Sequence, residues 1–114
     1  MLFRSLKQYK TTYMYLKRDE LKEHNYEKGD TEGVVNYGLS LKNIEFTAMF
    51  IEDLEDENLI KISFRSKNNF PCNKFAKDNF YGGGHINAAG GKFEGKIDNA
   101  IALFINKIKE FKFH

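Results

Sequence analysis

At 114 residues the chain has room for one ordinary hydrophobic core and not for two. Its 41% apolar and 15% aromatic content suits a globular fold, while a formal net charge of +2 excludes a polyanion-binding field spread over the whole surface. The single cysteine, Cys72, excludes an internal disulfide, and no apolar run approaches the roughly 18 residues that a membrane span needs. The opening Met1-Leu2-Phe3-Arg4-Ser5-Leu6-Lys7 lacks the apolar core of a signal peptide, and the expected setting is cytoplasmic.

Residues 1–10 mix apolar and basic side chains without a period and are expected to be a tether or the remnant of an upstream lobe, ahead of a domain over 11–114. Thr11-Thr12-Tyr13-Met14-Tyr15-Leu16 is β-branched and aromatic, which predicts a strand. Asp19 is the expected N-cap of a short helix, Glu20 to His24, ended by Asn25. After the loop Tyr26-Glu27-Lys28-Gly29, Asp30 or Thr31 caps a second helix with Val34, Val35, Gly38 and Leu41 on one stripe. Gly38 inside that helix costs about 1 kcal/mol against alanine, so a close-packed neighbour is expected there.

Phe46-Thr47-Ala48-Met49-Phe50-Ile51 is nearly continuous in apolar character, the pattern of a strand covered on both faces. An acidic turn, Asp53 to Asn58, leads into Leu59-Ile60-Lys61-Ile62-Ser63-Phe64-Arg65. There Ile60, Ile62 and Phe64 share one face and Lys61, Ser63 and Arg65 the other, so the two segments form an antiparallel hairpin. A short helix is expected between Pro71 and Asn79 with Phe75 and Ala76 inward, and a short strand at Lys92-Phe93-Glu94. Asp98 is the expected cap of the longest helix, whose Ile97, Ile101, Phe104, Ile108 and Phe111 form a core-facing stripe. The fold class is therefore α/β: a single small domain, a mixed β-sheet flanked by helices.

The segment that points to function is Gly82-Gly83-Gly84-His85-Ile86-Asn87-Ala88-Ala89-Gly90-Gly91, which holds five of the nine glycines. Glycine is costly to order and is kept where the backbone needs positive φ or a very close neighbour. Two readings stand side by side: a tight connection between elements, or a loop whose backbone N–H groups cradle a phosphate with His85 as donor. It is neither a dinucleotide fingerprint nor a P-loop. Arg65, at the end of its strand beside Lys61 and Ser63, is either part of a solvated face or a fork for phosphate, with Lys67 and Lys74 widening the patch. Tyr81 or Phe80 is a stacking residue or part of the core. Asp30, Thr31 and Glu32 read as capping residues, and Cys72 as a half-buried structural thiol. His24, His85 and His114 are isolated and the acids bunch in a turn, so the sequence shows no metal-ligand spacing and no nucleophile–base arrangement.

Gly82-Gly83-Gly84-His85 followed by Ala88-Ala89-Gly90 resembles the signature of the small C-terminal domain associated with DHH-family phosphoesterases. Asp30-Thr31-Glu32-Gly33-Val34-Val35-Asn36 resembles that family's helix-opening motif, and Ile62-Ser63-Phe64-Arg65-Ser66 its strand ending in Arg-Ser. The family includes RecJ-like exonucleases, oligoribonucleases that also dephosphorylate phosphoadenosine phosphate, and exopolyphosphatase-related proteins; the resemblance is greatest to the oligoribonuclease type. It implies that Gly83, Gly84 and His85 hold the substrate phosphate, that Arg65 and Ser66 contact the nucleotide, and that Gly82, Asn87 and Ala88 complete the substrate-binding set. It also implies that His85 stabilises charge on the phosphate during hydrolysis. Two divalent ions, manganese in the usual case, would be bound by an N-terminal DHH lobe and none by this chain, which contains no Asp-His-His sequence and is expected to be inert alone. The implied partners are that lobe and a nucleotide or short single-stranded nucleic acid, with room for a homodimer. The rival readings are a stand-alone nucleic-acid-binding or assembly module, and tRNA binding, since a related domain occurs in alanyl-tRNA synthetases.

Overall fold

The computed structural model describes residues 2–25 and 27–112, so Met1, the start of the loop expected at Tyr26, and His114 lie outside the described residues. The chain folds as strand β1 (Leu2–Leu6), a 3-10 turn (Lys7–Tyr9), strand β2 (Thr11–Leu16) and helices α1 (Arg18–His24) and α2 (Lys28–Ser40). The hairpin β3 (Phe46–Glu52) and β4 (Leu59–Ser66) follows, then helix α3 (Cys72–Phe80), strands β5 (Gly83–His85) and β6 (Ala88–Glu94), and helix α4 (Ile97–Lys112). The six strands form one sheet in the order β1-β2-β3-β4-β6-β5. Only β2 and β3 pair in parallel, joined through α1 and α2; the other neighbours are antiparallel.

The larger core lies between one face of the sheet and helices α3 and α4, and it is built on phenylalanine. Phe46 stacks on Phe70 with centroids 4.3 Å apart, and Phe104 of α4 meets Phe50 at 5.4 Å and Phe75 at 5.7 Å in edge-on contacts. Such pairs add to the area they bury. The second core, Met14, Leu16, Val35 and Met49, seats α2 on the opposite face of β2 and β3. Gly38 is the point of closest approach: a Cβ there would lie 2.8 Å from Met14 Cε and 3.0 Å from Thr47 Oγ1. Beneath it the buried hydroxyls of Thr12 and Thr47 bond each other at 2.8 Å, and Thr12 donates to the Gly38 carbonyl at 3.3 Å. The absent side chain thus lets the buried Thr12 hydroxyl reach the helix backbone while it pairs with Thr47.

Five expectations are corrected. The tether expected over residues 1–10 is instead the edge strand β1 with its 3-10 turn; its Leu2, Phe3 and Leu6 are half-buried, too few to give a readable period. α1 begins at Arg18 with Lys17 as N-cap, so Asp19 sits in the first turn; the Lys17 N–H donates to Glu20 Oε1 at 3.1 Å. α2 likewise starts earlier, with Glu27 as N-cap, and Asp30 caps it from within by accepting the Glu27 N–H at 3.1 Å. Asp98 lies in the first turn of α4, where a negative charge complements the helix dipole without capping. The glycine segment, expected as a loop ahead of a short strand, is mostly the β5–β6 hairpin.

Phe104 is fully buried and touches aromatic rings from β2, β3, β4 and α3. Phe104→Ala is expected to destabilise the domain by about 3–5 kcal/mol in chemical denaturation. A loss below about 1 kcal/mol would show that α4 is not fixed by this contact.

Candidate functional site

Over β2 and β3 the sheet is covered on both faces, and α2 reaches on across β4. On β6 and β5 the face opposite α3 and α4 is open, with Gly83, His85, Gly90 and Lys92 exposed. Register decides what lies there. Arg65 is paired with Ala88 and Ala88 with His85, so these three residues form one row across three strands. The next row on the same face is Ser63, Gly90 and Gly83, and the third pairs Lys61 with Lys92. Two strand spacings put the Cα atoms of Arg65 and His85 about 10 Å apart, with only the methyl group of Ala88 between them. The result is a shelf with a low floor, walled by a guanidinium and an imidazole and continued by Lys92, with Lys61 beside it paired to Asp53 at 3.2 Å.

The glycines divide into two groups on this geometry. A Cβ on Gly82 would fall 1.9 Å from the Gly90 carbonyl oxygen, and Gly84, at φ 144°, would put one 2.7 Å from the Ala88 carbonyl oxygen. These two are required by the hairpin and face away from the shelf. Gly83 has nothing within 4 Å of its Cβ position, and Gly90 meets only the Ile62 carbonyl oxygen at 3.6 Å. Neither is required by packing, and both belong to the open floor. The tight-connection reading accounts for Gly82 and Gly84 and leaves Gly83 and Gly90 to be explained otherwise.

Ser66 and Asn87 stand behind the shelf. Ser66 is buried; its hydroxyl donates to the Phe70 carbonyl at 2.7 Å, lies 3.1 Å from the Ile86 carbonyl and accepts from Asn87 Nδ2 at 3.0 Å. Its N–H donates to the Asn87 carbonyl at 3.0 Å, and the Cys72 N–H to the Ile86 carbonyl at 2.9 Å. Together these bonds fix the hairpin turn against the end of β4 and thereby align Ala88 with Arg65. Cys72 is fully buried, its Sγ 3.8 Å from the carbonyls of Phe64 and His85, and burial pushes its thiol pKa up against the opposing effects of the Ser66 hydrogen bond and the Arg65 charge. A thiol held protonated in this way is a packing group rather than a nucleophile.

Arg65 is half-buried, and its Nη1 donates to the carbonyls of Phe64 at 2.8 Å and Ala89 at 3.4 Å. Among the described residues Nε and Nη2 have no bond, so one edge of the fork remains for a ligand. His85 is exposed, and its ring bonds to none of the described residues. Lys67 donates to the Leu39 carbonyl at 2.9 Å and Lys74 pairs with Asp78 at 3.0 Å, so neither widens the patch around Arg65. Phe80 is fully buried and is core; Tyr81 is exposed. Sequence reasoning left out Gly90 and Lys92 as site residues, although Ala88, Gly90 and Lys92 alternate at the strand period once the segment is read as a strand. Among the described residues no group of three His, Cys, Asp or Glu could hold a metal ion. None of their helices is long and apolar enough to cross a membrane.

No curated protein matches the chain. Among solved structures, an exopolyphosphatase-related protein from Bacteroides fragilis is 41% identical with a TM-score of 0.89, over 96% of this chain and 32% of that one. A pGpG-specific phosphodiesterase from Vibrio cholerae (TM-score 0.57, 10% identity) aligns over 95% of this chain and 34% of its own. An uncharacterised protein from Helicobacter pylori (TM-score 0.53, 20% identity) aligns over 86% and 25%. These two share the fold, and the chain spans about a third or less of each of these three structures. The DHHA1 domain model matches residues 8–111. The chain belongs to the DHHA1 domain family, the domain associated with DHH-family phosphoesterases.

Proposed function

We propose that this chain is the substrate-binding wall of a DHH-family phosphoesterase, gripping the phosphate of a nucleotide or short oligonucleotide for hydrolysis at a site completed by a DHH lobe. The observation that carries the reading is the row Arg65–Ala88–His85 over the bare floor of Gly83 and Gly90. A phosphate seated there receives the free edge of the Arg65 fork from one side and the His85 ring from the other. Gly83, Gly90 and Ala88 keep the backbone low enough for its oxygens to come within bonding distance. Ser66, Asn87, Gly82 and Gly84 act by holding the hairpin in place.

The chemistry assigned to this chain is binding, orientation and charge compensation. In hydrolysis of a phosphodiester or phosphomonoester, negative charge on the phosphoryl oxygens is offset by donors already aimed at them, so His85 and Arg65 lower the barrier without exchanging a covalent bond. The divalent ions of the parent enzyme, manganese by the family resemblance, belong to the other lobe, where their ligands would be. A cytoplasmic setting is consistent with the free Cys72.

Three outcomes test the reading. Calorimetric titration with tripolyphosphate should show Arg65→Ala and His85→Ala each weakening binding about tenfold or more, while the thermal midpoint moves by no more than about 4 °C. Equal losses of binding and stability would assign both residues to the fold alone. Gly83→Ala and Gly90→Ala should fold at least as stably as the parent sequence yet bind more weakly, because the added methyl raises the floor. Gly82→Ala should destabilise by about 2 kcal/mol or more through its clash with the Gly90 carbonyl. Finally, the chain by itself should not hydrolyse oligonucleotides with added manganese; turnover that persists through purification and disappears in His85→Ala would overturn the division of labour between lobes.

A further inference from the structure

The small net charge hides a separation of charge along the strands. The turn between β3 and β4 gathers Glu52, Asp53, Glu55, Asp56 and Glu57 within six residues. Lys61 pairs with Asp53 there at 3.2 Å, and Arg18 donates to the carbonyls of Asp53 and Asp56 at 2.6 and 3.1 Å. At the opposite end of the strands the sign reverses. Arg65 and His85 lie there, with Lys7 just after β1, Lys10 just before β2 and Lys42 in the turn after α2. The two ends are the length of β4 apart, about 23 Å, which exceeds two Debye lengths at physiological salt. At that separation the acidic turn does not cancel the basic end.

Backbone hydrogen bonds join the basic end into one surface. The Glu45 N–H donates to the Lys10 carbonyl at 2.8 Å and the Lys67 N–H to the Glu45 carbonyl at 2.9 Å. Lys10 is therefore two strand positions from the end of β4, about 10 Å. A hollow of about 410 Å³ between the end of β1 and the turn after α2 is lined by Ser5, Lys7, Leu41, Lys42, Asn43 and Ile44, with no carboxylate among them. The same end carries Glu45, beside Lys10, and Glu110, which pairs with Lys107 at 3.4 Å. Lys7, Lys10 and Lys42 are exposed and, among the described residues, are paired with no acid.

Lys10 is an unfavourable residue for its place in the fold. It follows the 3-10 turn in the left-handed conformation, φ 52°, which Asn25, Asn43 and Asn68 adopt elsewhere in the chain. Asparagine tolerates that conformation through its short polar side chain, and lysine has no such means. Packing does not offset the strain, because Lys10 is exposed. A cation kept at a strained, solvated position, level with Arg65, points to its charge as the reason.

We propose that Lys7, Lys10 and Lys42 form an approach surface that draws multiply charged phosphates to the shelf and ranks them by charge. The inference rests on the phosphate-binding reading of the shelf and adds a preference for ligands with several negative charges over a single phosphate. These lysines act without touching the ligand. Their attraction grows in proportion to its charge, reaches across about 10 Å at low salt and is screened at high salt. The acidic turn repels the same anions, so they arrive at the shelf end of the molecule.

Calorimetric titration of the double variant Lys10→Asn/Lys42→Gln with tripolyphosphate and with orthophosphate, at two salt concentrations, tests this. At about 20 mM salt the variant should bind tripolyphosphate about fivefold more weakly than the parent sequence, and orthophosphate less than about twofold more weakly. At about 500 mM both differences should fall below about 1.5-fold, whereas His85→Ala should remain impaired. The thermal midpoint should not drop, because asparagine suits the backbone at position 10. Equal weakening toward both ligands, or a loss that persists at high salt, would make the lysines direct contacts and overturn the approach surface. Undiminished tripolyphosphate binding by the double variant at low salt, with His85→Ala impaired, would overturn it and leave the shelf standing. Failure of the parent sequence to bind tripolyphosphate would overturn the shelf and the approach surface with it.

Discussion

The site depends on one buried hydroxyl. Ser66 ends β4 on the face that carries Ile60, Ile62 and Phe64, and its oxygen and backbone N–H take up the turn between β5 and β6. That anchorage sets the register in which Ala88 meets Arg65. A slip of one residue would turn His85 toward the core and bring Gly84 to the open face, because side chains alternate strictly along a strand. Gly82 and Gly84 act in the same direction, since the hairpin closes so tightly that no side chain fits at either. Arg65 and His85 on the open face are thus placed by residues that do not themselves lie on it.

A second constraint is the change of pairing across the sheet. The parallel pair β2–β3 is covered on both sides, as parallel strands generally are, and the crossover through α1 and α2 supplies the cover. From β3 onward the pairing is antiparallel, which tolerates a solvated face, and the cover from α2 ends at β4. The same chain therefore builds a rigid half and an open half from one continuous sheet. Phe46, Phe64, Phe75 and Phe104 join the two halves from below, so the open half rests on a packed aromatic layer.

How much of this was legible in the sequence depended on side chains that report their surroundings. Ile60, Ile62 and Phe64 against Lys61, Ser63 and Arg65 gave the strand, its faces and its hairpin, and the Ile97-to-Phe111 stripe gave α4. The glycine segment was misread as a loop because residues without side chains carry no period. The caps of α1 and α4 were placed too late because Asp19 and Asp98 serve the first turn rather than the position before it. Arg65 and His85 were recognisable singly, but their shared row follows from register, which is fixed by the Ser66 network and by hairpin geometry. Ser66, expected by resemblance to contact the nucleotide, is buried and bonded to the hairpin turn.

The brevity of β5 has a further consequence. A glycine-rich strand at the rim of a sheet would ordinarily be a template for another chain, since its outward N–H and C=O groups are unpaired. Here the rim is only three residues long and begins at the end of α3, and beyond it β6 presents Lys92 and Glu94. An intruding strand finds too few successive bonds to gain a foothold. The bareness that suits this rim to a small anion therefore need not make it adhesive toward copies of itself.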